Sequence, residues 1–186
     1  MENELYIRTS PVLTIEKTEF ILKQMKYTVC KIGNSNGTGF FCQIPLINNS
    51  SIKGLITAFH VFNTNCSNTI EISLNNGKRK YKLDLKTPRL IYKDEKDDVV
   101  IIEIKPQDNI ECLYLEIQEN TCNKKDFSNF NDLYNNKLIY ILQYPYGYES
   151  KVSFGISKVI LRDKNKYYIR HNCSTEKELQ VLLLYY

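Results

Sequence analysis

Leu55-Ile56-Thr57-Ala58-Phe59-His60-Val61 takes an apolar strand into a small-residue turn and presents a histidine where the strand ends. Only two histidines occur in the 186 residues, so a side chain able to take and return a proton near neutral pH is scarce and its position is informative. Further along, Asp97-Asp98 opens the most apolar strand in the chain, Val99-Val100-Ile101-Ile102-Glu103-Ile104, which fixes a carboxylate at a strand's start. A histidine oriented by a carboxylate is a base that serves a nucleophile, and His, then Asp, then a later Ser is one of the orders in which such triads occur. Asp98 directly precedes the apolar strand and is the preferred partner. Asp94 and Asp97 compete for the role, and Asp94-Glu95-Lys96-Asp97-Asp98 also reads as a solvated acidic turn.

The surrounding composition, 42% hydrophobic and 25% charged, is that of a folded globular protein. Lys and Arg total 25 against 21 Asp and Glu; the lysines are scattered instead of forming a stripe with stacking aromatics, which argues against a nucleic-acid partner. No apolar run approaches the roughly 18 residues of a membrane helix, and Met1-Glu2-Asn3-Glu4 lacks the basic start and apolar centre of a signal peptide. No membrane partner and a cytoplasmic location are therefore expected. Six cysteines, Cys30, Cys42, Cys66, Cys112, Cys122 and Cys173, are widely spaced and read as free thiols. With no CxxC pair or His-rich cluster, neither a metal nor another cofactor is expected.

Ser10-Pro11 followed by Val12, Ile15, Glu19, Leu22 and Met25 predicts a short helix packed outside the main fold. From Tyr27 the pattern changes to short β-branched and aromatic runs between turn residues, predicting an all-β barrel or sandwich. Strands are expected over Tyr27 to Ile32, Gly39 to Ile44, Lys53 to Thr57, Thr69 to Leu74, Lys78 to Leu83, Arg89 to Tyr92 and Val99 to Ile104. Asn34-Ser35-Asn36-Gly37 and Asn75-Asn76-Gly77 supply hairpin turns, since Asn-Gly accepts the positive φ a tight turn demands. The polar, unperiodic stretch 115–136 reads as a connection between a first unit, 27–114, and a second, 137–186, with 1–26 as an N-terminal extension. Strands are expected in the second unit over Lys137 to Gln143, Ser150 to Leu161 and Tyr167 to Arg170.

With Gly37-Thr38-Gly39-Phe40-Phe41 upstream, Thr57-Ala58-Phe59-His60-Val61 resembles the histidine motif of trypsin-like serine peptidases, and Asp98-Val99-Val100-Ile101-Ile102 resembles their aspartate motif. The likeness spans residues 27–177 and implies two antiparallel β-barrels of chymotrypsin-like type, of which the second is incomplete. It implies His60 as base, Asp98 as its orienting carboxylate and a peptide or protein as substrate. Many secreted members carry a bridged cysteine directly after the histidine, where this chain has Val61.

The family's nucleophile motif, Gly-x-Ser-Gly-Ser-Pro, does not occur in the sequence. His171-Asn172-Cys173-Ser174-Thr175-Glu176-Lys177 resembles the segment leading into it, with Ser174 and Thr175 as a polar pocket floor, and places the motif's first glycine at Glu178 and its nucleophile at Gln180. Glutamine cannot form an acyl-enzyme; Cys173, Ser174 and Thr175 could substitute only if the backbone shifted. Permitted codons for Glu178 to Leu184, read one nucleotide earlier, spell Gly-Thr-Ser-Gly-Ser-Pro-Ile, so a frameshift near codon 177 is the expected origin of the loss. Two functions follow: a serine endopeptidase family member inactive for want of its nucleophile, or a pseudo-peptidase whose groove binds peptides. In either case the second half is expected to expose strand edges and a bare apolar tail, Val181 to Tyr186.

Overall fold

Runs of Val, Ile, Tyr and Phe broken by Asn, Gly and Asp favour strands and hairpins, and the computed structural model of the chain is all-β with barrel-like character. It describes residues 12–33, 37–46, 50–65, 68–117, 127–145, 149–161, 167–175 and 182–185. The first part comprises α1 (Ile15–Tyr27), β1 (Val29–Ile32), β2 (Gly37–Pro45), β3 (Ser51–Thr57), α2 (Phe59–Asn65), β4 (Thr69–Leu74), β5 (Arg79–Asp84), β6 (Ile91–Asp94), β7 (Val99–Glu103) and β8 (Leu115–Glu116). The remainder comprises α3 (Phe127–Tyr134), β9 (Leu138–Gln143), β10 (Lys151–Leu161), β11 (Tyr167–His171) and β12 (Leu182–Tyr185).

The first sheet runs β5-β4-β1-β2-β3-β7-β6, antiparallel throughout, with β8 pairing parallel to β2. Along β4 the alternation is direct: Ile70, Ile72 and Leu74 are buried while Glu71 is exposed. They meet Phe41, Leu55 and Ile102 in one core. Burying each such side chain contributes about 2 kcal/mol, and a one-residue slip would turn the whole row outward, so the apolar pattern fixes the register. The β4–β5 hairpin forms as predicted, with Leu74 opposite Arg79 and Asn75, Asn76 and Gly77 at φ 51°, 54° and 81°. At the β1–β2 turn, Ile32 faces Gly37, while Asn34 to Asn36 lie outside the described residues.

The two ends of this sheet, β5 and β6, are consecutive in the chain, so the link through residues 85–90 joins them covalently. Arg89 spans the seam. Its guanidinium donates to the Asp84 carbonyl of β5 (3.0 Å) and the Glu103 carbonyl of β7 (2.8 Å), and forks onto both oxygens of Asp108 at 2.9 Å. This is why the strand expected from Arg89 begins instead at Ile91: a guanidinium turned inward takes the place of ladder bonds.

β9 to β12 form a four-stranded sheet in the order β11-β10-β9-β12. β9 is buried on both faces, which explains its unbroken apolar run. Tyr140, Leu142 and Tyr144 pack with Val29 and the helix residue Ile21, while Ile139 and Ile141 meet Cys173.

Three expectations are corrected here. The N-terminal helix starts at Ile15, capped by the Thr14 hydroxyl accepting from the Lys17 N–H, and residues 12–14 are not helical; Pro11 lies outside the described residues. It also packs against the core by one stripe. Its inward stripe is Ile21, Gln24 and Met25, whereas Val12, Ile15 and Leu22 are exposed. Gln24 disguises that stripe because it is polar, yet its side-chain oxygen is satisfied by the Tyr140 hydroxyl at 2.7 Å. Second, the stretch 115–136 contains β8 and α3, with Tyr134 buried. Third, Leu182 to Tyr185 are not bare: their backbone pairs with β9 from Leu142 to Ile139.

Candidate active site

Ala58, fully buried, follows the end of β3, and His60 stands in the first turn of α2 in place of the open turn expected. The helix is held by its next two residues, Val61 and Phe62, which enter the core of the first sheet and leave the His60 side chain 49% exposed. Gly37 permits this docking, because a Cβ there would lie 2.2 Å from a Val61 methyl carbon. The Thr57 hydroxyl donates to the Thr38 carbonyl at 3.0 Å, and the Thr38 hydroxyl accepts from the Tyr144 N–H at 3.0 Å. One residue of β2 thus ties the histidine strand to the end of β9.

Asp98 closes the four-residue turn between β6 and β7 in the left-handed region, φ 51°. There its backbone carbonyl accepts from Phe59 N–H at 3.2 Å, and its carboxylate uses both oxygens on the next residue. Oδ1 accepts from the His60 N–H at 3.0 Å and Oδ2 lies 2.8 Å from His60 Nδ1. With Nδ1 facing a carboxylate, the ring's neutral tautomer carries its proton there and leaves the Nε2 lone pair outward. Nε2 makes no hydrogen bond to another described residue. The pair is therefore built as an oriented base.

The rival carboxylates are placed elsewhere. Asp94 Oδ1 accepts from the Asp97 N–H at 3.0 Å, and Oδ2 from the Tyr92 hydroxyl at 3.2 Å. These bonds, the Asp97 N–H first among them, hold its carboxyl below the usual carboxylate range. Asp97 is exposed and contributes that backbone donor. Neither side chain meets His60.

Ser174 and Thr175 are exposed, and the Ser174 carbonyl accepts from Gln143 at 3.3 Å. Cys173 is buried against Ile139 and Ile141, and that burial pushes its thiol up, away from the thiolate a nucleophile needs. His60 makes no hydrogen bond to any of the three, and Gln180 lies outside the described residues. Among the described residues no three His, Cys, Asp or Glu side chains are grouped to hold a metal ion, and no helix is long and apolar enough to cross a membrane. Cys30, Cys42, Cys112 and Cys173 are free thiols; Cys66 and Cys122 lie outside the described residues.

Sequence reasoning missed Thr38 and Asp94 as supports of the pair. Thr38 carried no signal of its own, but an Asp four residues before the preferred carboxylate, at the head of a turn, is a standard way to hold successive backbone N–H groups. No protein-family model matches this chain, and no curated protein matches it in sequence.

Proposed function

We propose that this chain is a member of the trypsin-like serine endopeptidase family that keeps the histidine–carboxylate pair and lacks the serine, so that it does not hydrolyse peptide bonds as it stands. The observation that carries the reading is the doubly bonded Asp98–His60 pair. In peptide-bond hydrolysis Nε2 of His60 would take the proton of an attacking hydroxyl and later return it to the leaving amine, while Asp98 stabilised the imidazolium. Such proton transfer is worth about 10²–10⁴ in rate, and it requires a hydroxyl within reach of Nε2. Gln180, at the nucleophile's place, has none.

A second reading is favoured by the order of the smaller sheet. β11 and β12 are its edges, each paired on one side only among the described residues, and an edge accepts an extended peptide by strand addition. On this reading the protein binds peptides and cuts nothing.

A fluorophosphonate probe, which reacts only with activated serines, tests the proposal alongside hydrolysis of a mixed peptide library. We expect no labelled serine and no cleavage. Covalent labelling of Ser174, or of any serine in a His60-dependent manner, would overturn both readings as stated, since it would supply the missing nucleophile.

A further inference from the structure

We infer that Asp94, assisted by Tyr92, is a positioning residue that sets the direction of the Asp98 carboxylate and through it the tautomer of His60. The inference rests on the reading of His60 as an oriented base, and deepens it. Residues other than glycine seldom occupy the left-handed region, aspartate being one of those that enter it most readily, and one held there at a site is kept by its surroundings. Asp98 is such a residue, at φ 51°. Its side chain is bonded to His60 and its carbonyl accepts from the Phe59 N–H, and a further restraint is built into the turn itself.

Asp94 supplies it. The residue pairs with Val99 across the turn, and its Oδ1 accepts from the Asp97 N–H at 3.0 Å, which fixes the Lys96–Asp97 peptide, one residue before the amide that leads into Asp98. Oδ2 is steadied by the Tyr92 hydroxyl at 3.2 Å. The Asp98 N–H then reaches the Glu95 carbonyl at 3.3 Å, completing the turn. With the peptide fixed on one side and Val99 committed to the β6–β7 ladder on the other, rotation about Asp98 is confined. The one carboxylate can then reach both the backbone and the ring of His60. Removing the Asp94 acceptor frees the turn to choose the more populated extended or helical backbone at 98, and the carboxylate swings off the ring.

The test needs no enzymatic activity. With only two histidines, long-range ¹H–¹⁵N spectra of the imidazoles are assigned by a His171→Gln control. Wild type is expected to show His60 mainly as the Nδ1–H tautomer. Asp94→Ala should lower the ratio of Nδ1–H to Nε2–H forms by about threefold or more, the scale of one lost local hydrogen bond, and should move the residue 98 coupling constant out of the positive-φ range. Asp94→Asn, which keeps the acceptor oxygen, should restore the wild-type ratio. Tyr92→Phe, which leaves the turn intact, should shift it in the same direction by less, and serves alone if Asp94→Ala fails to fold. An unchanged ratio in Asp94→Ala, or in Tyr92→Phe should it stand alone, overturns the positioning role. An unchanged ratio in an Asp98→Ala control instead overturns the His60–Asp98 pairing itself, so the two failures are distinct.

Discussion

Gly37→Ala asks whether α2 is placed by packing, as its contacts imply. Gly37 lies on a strand with an ordinary backbone, so alanine would cost no φ strain and would lower the entropy of the unfolded chain, a gain of about 0.4–1 kcal/mol if space allowed. Space does not allow it. The new Cβ would sit 2.2 Å and 2.8 Å from the two Val61 methyl carbons, where carbon contacts normally close at about 3.5–4.0 Å. Val61 cannot readily rotate away, because a β-branched residue in a helix keeps one χ1 well about 90% of the time. The helix must therefore shift by about an ångström, and such overpacking costs about 1–3 kcal/mol, which outweighs the entropic gain. We expect a net loss of about 1–2 kcal/mol in urea denaturation followed by tyrosine fluorescence, the chain having no tryptophan. Val61→Ala alone removes two buried methyl groups for a loss of about 1.6 kcal/mol. The double variant should be no less stable than Val61→Ala, a coupling of at least about 1 kcal/mol. Additivity within about 0.5 kcal/mol would refute the reasoning, because the two sites would then not touch.

Arg89 and Asp108 have side chains 1% and 8% exposed, so Asp108→Asn strands a buried cation and should lose about 3–5 kcal/mol at pH 7 in the same denaturation assay. The Arg89 guanidinium holds the folded Asp108 carboxyl below its unfolded value of about 3.9, with Asp84, Glu103 and Lys105 as the neighbouring charges. The stabilisation is therefore complete above that value and lost as pH falls through the folded one. The gap between wild type and Asp108→Asn should narrow by pH 3 and persist from pH 6 to 8. Iodoacetamide at pH 8 should modify native Cys42, whose thiol burial pushes up to about 11, and Cys173 far more slowly than the urea-unfolded protein. Fast native alkylation of Cys173 would show an activated thiol there and revive it as a nucleophile.

What the sequence discloses and what it hides divide along a physical line. β4 and its hairpin are legible because Ile70, Ile72 and Leu74 alternate and Asn75-Asn76-Gly77 names its own turn. His60 and Asp98 are legible for the same local reason: each stands at an end of an apolar strand. The inward stripe of α1 is not legible because it contains Gln24, whose partner Tyr140 is 116 positions away, and no local pattern reveals a distant partner. Arg89 looked like a strand residue for the same reason, its carbonyl partners being set by how the sheet curls. The supports of the pair, Thr38 and Asp94, act through two hydrogen bonds each, which composition and periodicity do not register.

The seam at Arg89 makes the first sheet unequally tolerant of change. Elsewhere the strands are joined by peptide groups, which every residue but proline supplies, so substitutions on the outer face of β4 or β5 leave the connection intact. Across the gap between Asp84 and Glu103 the connection is a single guanidinium and the carboxylate that neutralises it. Hydrogen bonding between the Asp84 and Glu103 carbonyls therefore rests on two side chains, Arg89 and Asp108. Lengthening the 85–90 link, ordinarily the mildest of changes in a surface connection, would carry the guanidinium out of reach of its carbonyls and let the sheet uncurl. Drift in this chain is therefore confined least where the backbone does the joining and most where a side chain replaces it.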